Sequence, residues 1–421
     1  MPRKLKVLLS AFACEPHTGS EPEVGWQWAL QMAQYHDVTV LARADSRAGI
    51  EKELDLLRGT RPLPRFVYHD EGRFLLWIKA RFRTIRLYYF FWQISAWKIF
   101  SRLTRENHFD LLHHVTYAGY RFRTAIWNHG VPTIWGPVGG IQSIPWRLLP
   151  WKYPAPLMLE VFRHFNNFVQ SFPFHRLRKR AQLTTITLAS TQEMAETFQG
   201  LGVKATLMPT VGLHVRDMSV PPRRAPQGPL KVLFVGSVIT LKGIDLAIEA
   251  MAEAGTDATF TIVGDSKFMS NARRLVSKLG IGSKVEFRGR LPLRETLRCY
   301  PNFDLFLFPS LHDTGGFALI EAMSWSVPAI CLDCGGPRIA VREGAGFRIP
   351  LDSRKAVVAG LAEAVRKYDR NRELLVEHGR AAREIILRDY DWDTKGRQMD
   401  AIYQQAVSAG ARSPQVTPLK C

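Results

Sequence analysis

The chain is poor in cysteine, in long apolar runs and in acidic residues, and each shortage excludes something. Five cysteines in 421 residues (Cys14, Cys299, Cys331, Cys334 and Cys421) build no disulfide framework of the secreted type. No window offers eighteen uncharged apolar residues, so no membrane span is expected. The opening MPRKLKVLLSAFACEP has too short an apolar run for a signal peptide and reads as a first buried strand. A reducing cytoplasm is the expected compartment. No G-x-G-x-x-G opens a helix and no G-x-x-x-x-G-K-[ST] occurs, which argues against a dinucleotide fold and a P-loop enzyme. A D-x-D at Asp391-Trp392-Asp393 follows a helical stretch instead of a strand and makes a weak metal site. Against 38 acids stand 57 lysines and arginines, a formal charge of +19. Such an excess draws a protein to nucleic acid, anionic membrane or phosphorylated substrates without choosing among them.

What is present is globular: 46% hydrophobic and 23% charged residues, at a length that suits two domains of about 200 residues each. Short apolar runs alternate with amphipathic ones. KVLLSAFA (6–13), DVTVLAR (37–43), FDLLHHV (109–115), PTIWGPV (132–138) and LTTITLAS (183–190) predict buried strands, with a helix over 23–34. A basic, proline-rich stretch at 215–229 has the composition of a linker. The alternation restarts with strands at 231–237, 259–264, 284–289, 304–310 and 328–333, and helices at 243–254, 271–280 and 317–325. Uninterrupted apolar strands alternating with helices mean parallel sheets covered on both faces. The expected fold class is α/β, two doubly wound Rossmann-like domains. Their bounds are 1–213, a linker over 214–229, 230–388, and a final helix with tail over 389–421. Ligands of such sheets bind beyond the carboxyl ends of the strands.

Two of those loops have chemistry to offer. In FVGSVITLKGIDLAIEAM (234–251) a strand ends at Val235-Gly236 and Lys242-Gly243 opens a helix. An ammonium beside free helix N–H groups suits a diphosphate, although the spacing alone favours a solvated loop lysine. In HDTGGFALIEAM (312–323) Gly315 and Gly316 permit close backbone approach, and Phe317 and Ala318 begin a helix with unsatisfied N–H groups. Asp313 precedes the glycines and Glu321 lies one turn inside the helix. Ionised carboxylates accept hydrogen bonds and repel phosphate, so they suit sugar hydroxyls. The plain alternative makes Asp313 a loop residue and Glu321 a surface helix acid.

Together these segments resemble retaining glycosyltransferases of the GT-B fold, glycosyltransferase family 4 (group 1). The Glu-x7-Glu motif of that family reads Asp313-x7-Glu321 here, and its "GR…KG" motif reads Gly236-Ser237…Lys242-Gly243. Further similar stretches, in order, are GSEPEVGW (19–26), HHVTYAGYRF (113–122), WGPVGG (135–140), VEFRGRLP (285–292) and YDWDTKGRQMDAIY (390–403). The resemblance implies sugar transfer from a nucleotide diphosphate sugar, with retention and without an essential metal or other cofactor, to a hydroxyl of a glycan or lipid-linked glycan. Polysaccharide biosynthesis is the implied setting. It places Glu321 on the ribose, Asp313 against the donor sugar, the amides of Gly315, Gly316, Phe317 and Ala318 on sugar and distal phosphate, Lys242 on phosphate, and Arg290 near the nucleobase. Two departures stand out. Ser237 replaces a phosphate-binding arginine, for which Arg288 and Arg290 are the candidate substitutes, and Asp313 is one methylene short. The family's His-x-His becomes adjacent His113 and His114, one of them expected to face the donor sugar, His114 preferred. The resemblance also implies that the two domains face a cleft and that the final helix, after Trp392, returns to the first domain, with domain closure expected about the 215–229 linker.

The N-terminal loop 15–26 is expected to line the acceptor side, with Gly19, Ser20, Glu21 and Gly25 as its residues, or Glu23 in place of Glu21. Helix N-terminal acids favoured by the macrodipole are the equal alternative. The stretch 73–105 contains eight bases and no acid, with a helical apolar stripe at Phe74, Ile78, Phe82, Ile85, Tyr89, Trp92, Ala96, Ile99 and Leu103. That pattern fits either packing on the first sheet or peripheral attachment to an anionic membrane. Cys331 and Cys334 form a lone C-x-x-C and read as structural thiols. Rival functions are a nucleotide-sugar epimerase or a sugar phosphorylase on the same fold. A basic nucleic-acid-binding protein is more remote, for no nucleic-acid motif is present.

Overall fold

A computed structural model describes residues 3–72, 75–76, 81, 85–151, 153–171, 175–216 and 218–410. The chain divides into two compact units. The first takes residues 1–141, 168–210 and 392–421, the second 142–167 and 211–391.

The first unit is built on β1 (Lys6–Ser10), β2 (Asp37–Arg43), β3 (Arg65–His69), β4 (Leu111–His114), β5 (Thr133–Val138), β6 (Ile186–Ala189) and β7 (Ala205–Leu207). All pairs are parallel, in the order β3-β2-β1-β4-β5-β6-β7. The second unit orders β8 (Lys231–Val235), β9 (Thr259–Val263), β10 (Val285–Gly289), β11 (Leu305–Phe308), β12 (Ala329–Leu332) and β13 (Gly346–Ile349) as β10-β9-β8-β11-β12-β13, again parallel. Both sheets reverse their winding once, between β1 and β4 and between β8 and β11. Those switch points open the crevices where doubly wound folds bind ligands.

Burial explains which strands the sequence announces. Every residue of β4, β5, β11 and β12 is buried, as interior strands covered by helices must be. The unpredicted strands β3, β7 and β13 are all sheet edges and half-exposed. Lacking a cover, they show no apolar run.

Two expectations change, and one left open is narrowed. Residues 142–167, assigned by sequence to the N-terminal domain, pack with the second unit, where Ile144, Leu148 and Leu149 enter its core. The 215–229 stretch is not a free hinge. Arg223 donates to the carbonyls of Phe303 at 2.7 Å and Trp325 at 3.0 Å, and Arg216 pairs with Asp391 at 2.9 Å, so the stretch is bound along the second unit. Third, of the basic insert, the Ile85–Glu106 helix buries Tyr88, Tyr89, Trp92, Ala96 and Phe100 in the first unit's core. Phe74, Ile78 and Phe82 lie outside the described residues. The Trp392–Gly410 helix joins the first unit, with Trp392 edge-on to Trp28 at 5.2 Å.

Candidate functional site

In the second unit the switch point is lined by the loops after β8 and β11. The first loop turns through Gly243 at φ 69°, where a Cβ would lie 1.9 Å from the Pro309 carbonyl oxygen. Only glycine lets the two loops approach this closely. The amide of Leu311 donates to the carbonyl of Leu241 at 3.0 Å, tying them together.

That seam carries Lys242 to Asp313, with Nζ 2.6 Å from Oδ2. The other carboxylate oxygen accepts from the amides of Gly316 at 2.7 Å and Gly315 at 3.3 Å. Asp313 therefore closes its own turn, and Gly316 at φ 67° starts the Phe317–Ser324 helix. The amide of Ile320 makes the first bond back into that turn, to the carbonyl of Gly316 at 3.0 Å. The amides of Phe317 and Ala318 precede it and are those a helix start offers to an anion. Inside the helix, Glu321 accepts from the buried Tyr300 hydroxyl at 2.7 Å. Burial pushes the Glu321 carboxyl above its ordinary range, and the Tyr300 hydrogen bond holds it back in part.

The remaining predicted donor residues scatter more. Gly236, at φ 154°, brings its carbonyl so near Gly264 that a Cβ there would sit 1.8 Å from it. Ser237 is exposed beside it. Arg290 is exposed beyond edge strand β10, two strands away from β8. Arg288 is paired with Glu286 at 3.1 Å and lies 5.6 Å over the Phe303 ring, which occupies one candidate substitute for the missing arginine.

Four residues escaped the sequence reading. Tyr300 orients Glu321. A second glycine pair follows β12: a Cβ on Gly335 would sit 2.3 Å from the Asp313 carbonyl oxygen, and Gly336 N donates to that oxygen at 2.9 Å. The doublet in LDCGGP was the available signal. Gln142, buried at 9% exposure, accepts from the Thr314 hydroxyl at 3.3 Å, and its Nε2 has no hydrogen-bond partner. Nothing local in the sequence marks it, because its environment lies 172 residues away. Cys331 is buried and Cys334 partly so, neither in a disulfide, and their thiols donate to the carbonyls of Pro337 at 3.8 Å and Ser310 at 3.7 Å. Among the described residues no group of three or more His, Cys, Asp or Glu side chains is placed to hold a metal.

The first unit corrects the histidine expectation. His113 and His114 are 0% and 1% exposed. His113 bonds the Tyr403 hydroxyl through Nδ1 at 2.7 Å and the Gly136 carbonyl through Nε2 at 2.8 Å. His114 bonds the Ser10 hydroxyl at 3.0 Å and the Tyr89 hydroxyl at 3.1 Å. All four ring nitrogens are engaged inside the unit, so neither ring is turned to a sugar. Burial pushes their pKa values down to about 4 and about 3. On the predicted acceptor side, Gly19 and Ser20 take positive φ of 68° and 56° before the Ser20–Tyr35 helix. Glu21 accepts from the Tyr117 amide at 2.6 Å, binding that helix to the loop after β4, and burial pushes its carboxyl up. Gly25 has a packing reason: a Cβ would stand 2.1 Å from the Ala13 carbonyl oxygen. Glu23 accepts from Gln27 at 2.8 Å.

Residues 216–384 match the family described as glycosyl transferases group 1. Among curated relatives, the putative colanic acid biosynthesis glycosyltransferase WcaL of Escherichia coli is 26% identical over 204 residues, 46% of this chain and 50% of that protein. Glycogen synthase of Mycobacterium tuberculosis is 28% identical over 244 residues, 57% of each. The chain thus spans about half the length of these relatives. Among solved structures, Anabaena HepE in complex with UDP and glucose superposes with a TM-score of 0.58 at 15% identity, covering 95% of this chain and all of that one. The lipopolysaccharide outer core galactosyltransferase WaaB gives 0.63 at 16% identity, with the same coverage. At such identities the likeness establishes the fold, two Rossmann-like domains of the GT-B type.

Proposed function

We propose that this chain, whose residues 216–384 form a group 1 glycosyl transferase domain, moves a hexose-type sugar from a nucleotide diphosphate sugar to a hydroxyl of a glycan or lipid-linked glycan, with retention of anomeric configuration. The observation that carries this reading is the convergence of Lys242, Asp313 and the Phe317–Ser324 helix start at one switch point, one turn from Glu321. A departing diphosphate develops negative charge, which a lysine ammonium and preorganised amides stabilise. Lys242 would exchange its bond to Asp313 for the diphosphate, and Phe317 and Ala318 would donate to the distal phosphate. Asp313, kept in place by the Gly315 and Gly316 amides, would then turn its freed oxygen to the donor sugar. Glu321, held by Tyr300, would accept from ribose hydroxyls.

These groups supply the positive charge from protein alone, so the transfer is proposed to need no essential metal. The polysaccharide setting is supported by the matched WcaL protein, named for colanic acid biosynthesis. A lipid-linked acceptor places the enzyme at a cytoplasmic membrane face. No helix among the described residues is long and apolar enough to cross a membrane, and attachment would be peripheral. UDP is the first donor base to try, as HepE is described with UDP and glucose.

The test is calorimetric titration with UDP, GDP and ADP and their hexose conjugates, followed by transfer to glycan acceptors with the product anomer read by NMR. One donor is expected to bind and to be turned over with retention, and EDTA treatment should leave the rate within about twofold, well under the tenfold that 1.4 kcal/mol represents. Glu321→Ala should abolish donor binding or transfer, and full activity in that variant would remove the site assignment.

A further inference from the structure

The Pro154–Ser171 helix is built inside out. At about 100° per residue, Met158, Val161, Phe162 and Phe165 share one face, and Glu160 and Arg163 lie opposite. A helix on a soluble core turns its apolar stripe inward. Here Met158, Phe162 and Phe165 are 73%, 66% and 62% exposed, whereas Glu160 is buried, and its Oε1 lies 3.2 Å from Arg163. The orientation is fixed by packing. Tyr153 meets the Phe268 ring edge-on at 4.8 Å, and Leu157 rests against the second unit's core. Trp151 is also largely exposed, as is Trp146, stacked on His164 at 4.6 Å. An exposed apolar helix face of this kind marks a docking site.

Charge selects the occupant. Residues 142–182 contain seven lysines and arginines and a single acid, Glu160, which faces inward. A second copy of the chain would bring like charge against like. An anionic lipid surface brings the opposite charge and an apolar layer, and tryptophan is at home at that boundary.

We propose that this face docks on an anionic phospholipid bilayer, with Trp151, Met158, Phe162 and Phe165 entering the headgroup boundary. The surface is distinct from the basic 73–105 insert that the sequence singles out. Its biological sense rests on the reading of a lipid-linked acceptor, but its test uses neither donor nor transfer.

Full-length protein is floated with vesicles of phosphatidylcholine alone and with 30% phosphatidylglycerol, a composition set by choice to be roughly that of a strongly anionic leaflet. Wild type is expected to float with the anionic vesicles, less so as salt rises, and to stay behind with the neutral ones. Phe162→Glu combined with Phe165→Glu should lower the floated fraction about tenfold, while circular dichroism and nucleoside diphosphate affinity stay unchanged. A control pair, Phe90→Glu with Phe91→Glu on the Ile85–Glu106 helix, should float as wild type. Three results overturn the proposal: no flotation of wild type, flotation undiminished in the 162/165 pair, or loss only in the 90/91 pair. Sedimentation showing a dimer that the 162/165 pair dissociates, without vesicle binding, would assign the face to self-association instead. Loss of transfer with vesicle binding intact would overturn the enzymatic reading and leave this one standing.

Discussion

Asp313 and Lys242 neutralise each other at 2.6 Å, with side chains 15% and 27% exposed, and this pair sets the chemistry that can be expected of the site. A diphosphate entering must offer Lys242 more than one carboxylate oxygen does. Asp313→Asn keeps an acceptor for the Gly315 and Gly316 amides and frees Lys242. It should leave diphosphate affinity equal or higher, while transfer falls at least about tenfold. Lys242→Ala should weaken nucleoside diphosphate binding by roughly ten- to a hundredfold, the range of a lost charge-assisted hydrogen bond. Calorimetry on both variants separates the two roles. Equal loss of affinity in both would mean that the pair acts only as a structural tie.

Among the elements, the helix starts are positioned by glycines that bring backbone against backbone. Gly243 and Gly25 each stand where a Cβ would press on a carbonyl oxygen, at 1.9 Å and 2.1 Å. Gly243 also needs φ 69°. Gly243→Ala should cost about 3 kcal/mol or more, from strain added to displacement of the Pro309 loop. Urea unfolding measures that loss. Because the displaced loop leads to Asp313, diphosphate affinity should fall with it. Gly25→Ala should destabilise the first unit without touching diphosphate binding, since its neighbours are Ala13 and Thr116.

Across the whole molecule, the buried histidines make stability depend on pH. His113 and His114 titrate at about 4 and about 3 when folded, against 6.5 for the free side chain. Below pH 6.5 the unfolded chain takes up protons that the folded chain refuses, so stability is complete above that value and falls on acidification towards the folded pKa values. At pH 5 each histidine costs about 2 kcal/mol. The groups facing them are the Tyr403 and Tyr89 hydroxyls, the Ser10 hydroxyl and the Gly136 carbonyl, none of which titrates in that range. His114→Gln should lower stability at pH 7 and flatten its decline between pH 7 and 5, read by denaturant unfolding at each pH. A decline as steep as wild type would place the proton uptake elsewhere.

The sequence by itself determined the parallel α/β class and the glycine-marked loops, because burial on both faces of a strand leaves a local apolar run and a tight loop leaves a local glycine. Lys242, Asp313 and Glu321 lie a few residues from such marks, but it is the motif resemblance, not local spacing, that singles them out. Tertiary structure alone decided what those side chains meet. It paired Lys242 with Asp313 across 71 residues, placed Gln142 beside Thr314, and gave both ring nitrogens of His113 and His114 to partners as far off as Tyr403. It also turned the apolar face of the Pro154–Ser171 helix outward, which periodicity cannot report, since a stripe reads the same whether it faces core or solvent. Hydrogen bonds and exposure depend on which distant segments fold onto a surface, and that is set by chain topology, not by neighbouring residues.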